Sequence, residues 1–168
     1  MTMRIGCVGC GNMGGAILAG LARSGGHSQG QTDAYALCGY NRTASRMRPL
    51  EEAGVQVMTS PLAVAENADI IILAVKPYQM REVVGQLRPA LDANKVLVSV
   101  AAGITSNSLA QWAENACPVV RCMPNTPALV GKGVFALCFD DKVPAESKED
   151  ILRFFSQLGV CLELPESR

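Results

Sequence analysis

The sequence predicts an α/β fold: a doubly wound, mostly parallel sheet with helices on both faces. Three observations carry the prediction. A short apolar run, Ile5 to Val8, leads directly into Gly9, Cys10, Gly11, Asn12, Met13 and Gly14, a G-x-G-x-x-G turn that opens an amphipathic stretch. A second run, Ile70 to Val75, is continuously apolar and rich in β-branched residues, the pattern of a parallel strand buried on both faces. Between and after these runs, strand-like and helix-like segments alternate at short spacing to the end of the chain.

The glycine turn sets the chemistry of the first unit. Gly9 permits the tight exit from the strand, Gly11 lets the backbone approach a pyrophosphate with no side chain in the way, and Gly14 permits close helix-on-strand packing. This is the phosphate loop of a Rossmann-type dinucleotide fold, and the helix over 12–23 directs its N-terminal amides at the phosphates. That helix carries Met13, Ile17 and Leu21 on one stripe, with small residues keeping it thin.

After a polar, glycine-rich loop over 25–33, Ala34 to Gly39 reads as the second strand, followed by Tyr40, Asn41, Arg42 and Thr43. An NAD-binding unit places an acidic residue at this strand end to hold the ribose hydroxyls. Asp33 has nearly the right spacing but precedes the strand and so belongs to the wrong edge of the sheet. At the correct edge stand Asn41 and Arg42, an amide and a guanidinium suited to a 2′-phosphate, which favours NADPH over NADH.

The next elements follow in order: a helix over 43–53 closed by Gly54, a short strand over 55–58, a helix over 61–67, and the strand beginning at Ile70. Pro77 holds Lys76 extended at the end of that strand. Ligands of open α/β sheets sit at the carboxyl ends of strands, so Ala74, Val75, Lys76 and Pro77 border the cofactor; no catalytic role falls to Lys76. A helix over 78–87 precedes a strand over 95–100, whose end, Val100, Ala101, Ala102 and Gly103, is small enough to admit a flat ligand. A helix over 106–115 follows, with Leu109 and Trp112 inward, and then a strand over 118–123. Two prolines, Pro124 and Pro127, stiffen a loop that presents Asn125 and Thr126 at the same edge as the phosphate loop. A strand over 134–139, a helix over 145–158 with Ile151, Phe154, Phe155 and Leu158 inward, and a strand over 160–164 complete the chain.

Length and charge narrow the function classes. The 168 residues suit one well-buried domain, and Lys+Arg and Asp+Glu are both 15, so the balance argues against nucleic acid or an anionic membrane as partner. No apolar run reaches the length of a membrane span and Arg4 abuts the first strand, which points to a cytosolic protein without a signal peptide. Seven cysteines scattered through apolar runs read as small core residues. Cys7 and Cys10 do form C-x-x-C, but one lies in the strand and the other in the loop. His27 is the single histidine, so a closed zinc site lacks ligands and no metal is expected.

Five motifs, G-C-G-N-M-G at 9–14, N-R-T at 41–43, A-V-K-P at 74–77, S-V-A-A-G at 99–103 and M-P-N-T-P-A at 123–128, together resemble pyrroline-5-carboxylate reductase over essentially the whole chain. The resemblance implies the last step of proline biosynthesis, hydride transfer from NADPH to the imine carbon of 1-pyrroline-5-carboxylate. It implies that Gly9 to Gly14 hold the pyrophosphate and Asn41 to Thr43 the adenosine side. Ala74 to Pro77 with Val100 to Ala102 would take the ribose and nicotinamide, and Asn125 and Thr126 would lie near the reacting ring. Members of that family continue into a helical domain that forms the homo-oligomer and completes the substrate pocket. On that resemblance, these 168 residues would correspond to the cofactor domain, without the helical one. Two other readings stay open at this point: another NADP-dependent oxidoreductase of the same fold, acting on hydroxyacids or coenzyme F420, and a non-catalytic nucleotide-sensing module.

Overall fold

A computed structural model describes residues 3–25, 35–124 and 133–165. The loop carrying Asn125 and Thr126, and residues 26–34 with Asp33 and His27, lie outside the described residues. Among the described residues eight strands form one sheet: β1 (Met3–Val8), β2 (Tyr35–Tyr40), β3 (Gln56–Val57), β4 (Ile70–Leu73), β5 (Val96–Ser99), β6 (Val119–Pro124), β7 (Gly133–Phe139) and β8 (Gly159–Glu163). Their order is β3-β2-β1-β4-β5-β6-β7-β8. The pairs from β3 through β6 are all parallel, β7 runs antiparallel to β6, and β8 is parallel to β7. Strand order therefore reverses direction between β1 and β4, which opens a crevice at the carboxyl edge there, where such folds take ligands.

Among the described residues six α-helices cover the sheet: α1 (Asn12–Gly25), α2 (Arg48–Glu52), α3 (Pro61–Asn67), α4 (Pro77–Leu87), α5 (Ser106–Trp112) and α6 (Ala145–Ser156). The strand residues alternate between two cores. On one face Ile5, Ile70, Ile72, Val96 and Val98 pack with Ile17, Leu18 and Leu21 of α1 and with Leu50 of α2. Towards β7 the same core continues through Phe135, Ile151, Phe154 and Phe155. On the other face Ile71, Leu73 and Leu97 pack with Val64 of α3, Met80, Val84 and Leu87 of α4, and Leu109 of α5. All four residues of β4 are buried, so each side chain contributes about 1.5–3 kcal/mol whichever face it points to. An unbroken apolar run is what such a strand requires.

Polar groups close the ends. Ser60 Oγ accepts from Ala63 N–H at 3.1 Å and caps α3 at its start. At its other end the buried Lys95 ammonium donates to the carbonyls of Ala65 and Ala68, the latter at 2.9 Å. On the amino edge of the sheet the Arg4 guanidinium donates to both carboxylate oxygens of Asp69, at 2.8 and 3.1 Å, joining β1 to β4. That hydrogen-bonded charge pair raises the arginine pKa further.

Element boundaries differ from the sequence reading in three informative places. The helix expected over 43–53 is a 3-10 turn, Ala44–Met47, followed by α2, because Pro49 has no N–H to continue an α-helical ladder from the preceding turn. The helix expected to reach Asn115 stops at Trp112, since Glu114 and Asn115 take φ of 53° and 57° in the left-handed region. The strand expected to reach Val75 pairs only to Leu73, where the chain leaves the sheet towards Pro77. No helix among the described residues is long and apolar enough to cross a membrane.

Candidate functional site

Sheet register builds the site. Val8, Tyr40, Leu73 and Ser99 form one row across four parallel strands. The next residue of each strand, Gly9, Asn41, Ala74 and Val100, therefore emerges at a common edge. Backbone bonds carry the row one step past the strands: Gly9 N–H donates to Tyr40 O at 2.9 Å, Ala74 N–H to Val8 O at 2.9 Å, and Val100 N–H to Leu73 O at 3.0 Å. The three loops that follow β1, β2 and β4 are thus held in register around the point where strand order reverses.

A cleft of about 720 Å³ opens there, lined on one side by Gly9, Gly11 and Met13 and on another by Asn41, Arg42, Thr43 and Arg46. Ala74, Val75 and Lys76 form its floor, and Gln79, Glu82, Val83 and Gln86 of α4 form the far wall. Among its charged residues Arg42, Arg46 and Lys76 face a single carboxylate, Glu82, so the cleft favours an anion.

Each glycine of the loop meets a different constraint. Gly9 has φ of 91°, and a Cβ there would stand 2.9 Å from the backbone of Ala74 and Val75. At Gly14 a Cβ would stand 2.5 Å from Gly9 O and 2.8 Å from Cys7 Sγ, so α1 could not seat against β1. Gly11 is the opposite case: beyond its chain neighbours, the one described atom within 4 Å of its Cβ position is Arg46 Nη1, at 3.9 Å. No packing of the protein demands glycine here. An opening of this kind in the lining of an anion-favouring cleft fits a pyrophosphate approaching the backbone.

The other residues singled out from sequence divide into those in the cleft and those around it. Cys10 is buried; its N–H donates to Tyr40 O at 3.3 Å and its thiol to Cys7 O at 3.5 Å, so it shapes the turn from beneath. The hydrogen bond to Cys10, together with burial, pushes the Cys7 thiol pKa well up. Asn12 begins α1, and Gly15 N–H to Gly11 O at 2.9 Å is the bond across its first turn. The first amides of any helix have no carbonyl of their own helix to reach. Asn41 Nδ2 donates to Thr43 O at 3.1 Å, which fixes the loop carrying the exposed Arg42.

Lys76 is extended, with φ of −64° and ψ of 149°, and its N–H donates to Gln79 Oε1 at 3.2 Å; Pro77 opens α4 behind the cleft lining. Val100, Ala101 and Ala102 stand beyond the cleft, one strand further along the edge, where Ala101 N–H donates to Ser99 Oγ at 3.3 Å. Sequence reasoning missed Arg46 and the α4 wall. The spacing of Gln79, Glu82, Val83 and Gln86 is that of one helical stripe, but nothing in the sequence says which way the stripe faces.

Comparison with known proteins agrees with this geometry. Residues 4–103 match the family described as NADP oxidoreductase coenzyme F420-dependent. A pyrroline-5-carboxylate reductase from Pseudomonas aeruginosa is 35% identical over 165 residues, covering 98% of this chain and 59% of that protein. Among solved structures, a pyrroline-5-carboxylate reductase from Coxiella burnetii superposes with a TM-score of 0.87 at 29% identity, over 98% of this chain and 59% of that one. A Plasmodium falciparum pyrroline carboxylate reductase with NADP bound superposes with a TM-score of 0.83 at 28% identity, over 98% and 58%. The chain therefore spans under two thirds of the length of the relatives it matches. With its Rossmann-type sheet, its glycine-rich turn at the carboxyl end of β1 and more than half its residues matched, the chain belongs to the NADP oxidoreductase coenzyme F420-dependent family.

Proposed function

We propose that residues 1–168 are the dinucleotide-binding domain of a reductase of the pyrroline-5-carboxylate type, taking NADPH in preference to NADH and reducing the imine of 1-pyrroline-5-carboxylate to L-proline. The observation that carries the reading is the open face of Gly11 in a cleft whose rim bears Arg42 where an NAD-binding unit has an acidic residue. Support also comes from the similar Plasmodium enzyme, which has NADP bound.

In this reading Gly9 to Gly14 hold the pyrophosphate, through loop amides and the α1 N-terminus. Asn41, Arg42 and Thr43 take the adenosine side, with Asn41 bracing the loop and Arg42 pairing with the 2′-phosphate. Ala74 to Pro77 and Val100 to Ala102 lie along the ribose and nicotinamide. When bound, the nicotinamide supplies the hydride. The chain's own residues orient the ring and exclude water at the sheet edge, which is positioning rather than acid–base work. Asn125 and Thr126 are assigned near the reacting ring, outside the described residues. A helical part like that of similar reductases would complete the substrate pocket and form a homo-oligomer, in the cytosol.

Calorimetric titration tests the cofactor half of the proposal. NADPH is expected to bind more tightly than NADH, and Arg42→Ala to remove about 1.5–3 kcal/mol from NADPH while leaving NADH nearly unchanged. Equal losses for both would mean that Arg42 supports the loop instead. An absorbance assay with 1-pyrroline-5-carboxylate tests the chemistry. The 168 residues alone are expected to turn over poorly, since positioning accounts for about 7–11 kcal/mol of a barrier, and to gain rate when the helical part of a similar reductase is added. Full activity without that addition would put the whole substrate pocket within these residues.

A further inference from the structure

The sheet has two edges, and the chain guards them unequally. At one end β3 is two residues long, too short to template another strand. At the other end β8 runs five residues, with no lysine, arginine or proline inside it and no strand on its outer side among the described residues. Leu164 N–H donates inward to Leu137 O at 2.8 Å, and backbone groups alternate along a strand. Gly159, Cys161 and Glu163 therefore turn their N–H and C=O groups away from β7. Side chains alternate too. Cys161 and Glu163 lie on the α6 face, where Glu163 pairs with Lys148 and the Cys161 thiol donates to Leu152 O. Val160, Leu162 and Leu164 lie on the opposite face and are 60%, 48% and 38% exposed.

We propose that β8 is a self-pairing edge: two copies of this chain join β8 to β8, antiparallel about a two-fold axis at Cys161, into one continuous sheet. The inference stands apart from the cofactor reading and uses no residue of the cleft. An axis at Cys161 is singled out because only that register matches every residue of β8 with another residue of β8. Cys161 then exchanges both backbone bonds with its counterpart, and Gly159 does so with Glu163, so every outward N–H and C=O of the strand finds a partner. On the exposed face Val160 comes opposite Leu162 of the second copy, which carries the apolar strip across the join. Charge agrees with the register. Glu163 meets a glycine, and the two Glu163 carboxylates stand roughly 14 Å apart along the strands, beyond a Debye length of about 8 Å at physiological salt. An axis at Glu163 would oppose two carboxylates, and one at Leu162 would set Gly159 against Pro165, which has no N–H to give. This reciprocity of one strand with itself marks a second copy, and not an unrelated extended peptide, as the occupant.

Sedimentation equilibrium and amide exchange test the pairing on the chain without cofactor. The mean mass should rise from 17.8 kDa towards twice that as concentration climbs through the micromolar range. Over the same range the amides of Gly159, Cys161 and Glu163 should come to exchange about tenfold more slowly, while those of Val160 and Leu162, already turned towards β7, should not change. Leu162→Lys puts a charge on the apolar side of the edge and should hold the chain at the monomer mass. Cys161→Pro should do the same, since it removes an outward N–H that β7 does not use. Val57→Lys, on the opposite edge, should dimerise like the parent. A chain that stays monomeric at every concentration would overturn the pairing. So would a dimer whose three outward amides exchange as fast as before, or one that survives Leu162→Lys. Protection of those amides only when the helical part of a similar reductase is added would overturn it too, and give the edge to that part. Dinucleotide affinity should be equal in the parent and in Leu162→Lys, because the cleft has no lining residue in β8, so failure of the pairing and failure of the cofactor reading are read separately.

Discussion

Gly11→Val is expected to abolish measurable binding of both NADPH and NADH while the chain melts within a few degrees of the parent. A Cβ at this position has Arg46 Nη1, at 3.9 Å, as its one described neighbour within 4 Å beyond the adjacent residues, and the backbone there lies outside the left-handed region, so the fold should tolerate the branch. The pyrophosphate does not, because the side chain fills the space through which it reaches the loop amides. Gly14→Val supplies the contrast. Its Cβ would stand 2.5 Å from Gly9 O and 3.0 Å from Ala74 Cβ, so that variant should lose stability as well as binding. Titration and thermal melting of the two variants separate the cases. If Gly11→Val keeps its affinity and melts early, the loop is a structural turn and the cleft is not a dinucleotide site.

Phe155→Ala should have the largest effect on stability, about 3–5 kcal/mol in urea unfolding, with dinucleotide affinity unchanged in the fraction that stays folded. Phe155 is fully buried, with its ring centroid 4.9 Å from Phe135 of β7 and 4.6 Å from Phe154 of α6. Truncating it empties the contact between helix and strand that holds the sheet's far end together. The cleft lies at the other end of the sheet, on β1, β2 and β4, with no lining residue in β7, β8 or α6. A loss below about 1 kcal/mol would show that the site collapses around the missing ring.

How far the sequence could be read follows from what each residue is asked to do. Ile70 to Leu73 was legible because burial on both faces admits no polar alternation. Gly9 and Gly14 were legible because only a missing Cβ satisfies a left-handed φ or so close a contact. Arg42 was legible because its place follows from the end of a strand. The turn at Glu114 and Asn115 was not, since helices that end left-handed ordinarily announce it with glycine. The antiparallel direction of β7 was not either: Val134 to Phe139 has the same apolar character whichever way it runs. Arg46 was missed for a reason of its own. Its reach over Gly11 depends on Met47 being buried behind it, and a sequence does not say which of two adjacent side chains turns inward.

The burial of the cysteines has a consequence for how the chain's motions can be timed. All seven are thiols and six are buried. Burial pushes Cys38 up to about 11 and Cys117 up to about 12, and it raises Cys122 and the half-buried Cys161 too. A water-borne alkylating reagent reacts with thiolate, so in the closed fold these sulfurs react slowly, and labelling waits for local opening. The sulfurs are spread along the sheet, with Cys7 in β1, Cys38 in β2, Cys122 in β6, Cys138 in β7 and Cys161 in β8. Their separate labelling rates would act as clocks on individual strands, and a ligand seated in the cleft at the carboxyl ends of β1, β2 and β4 should slow the first two far more than the last three.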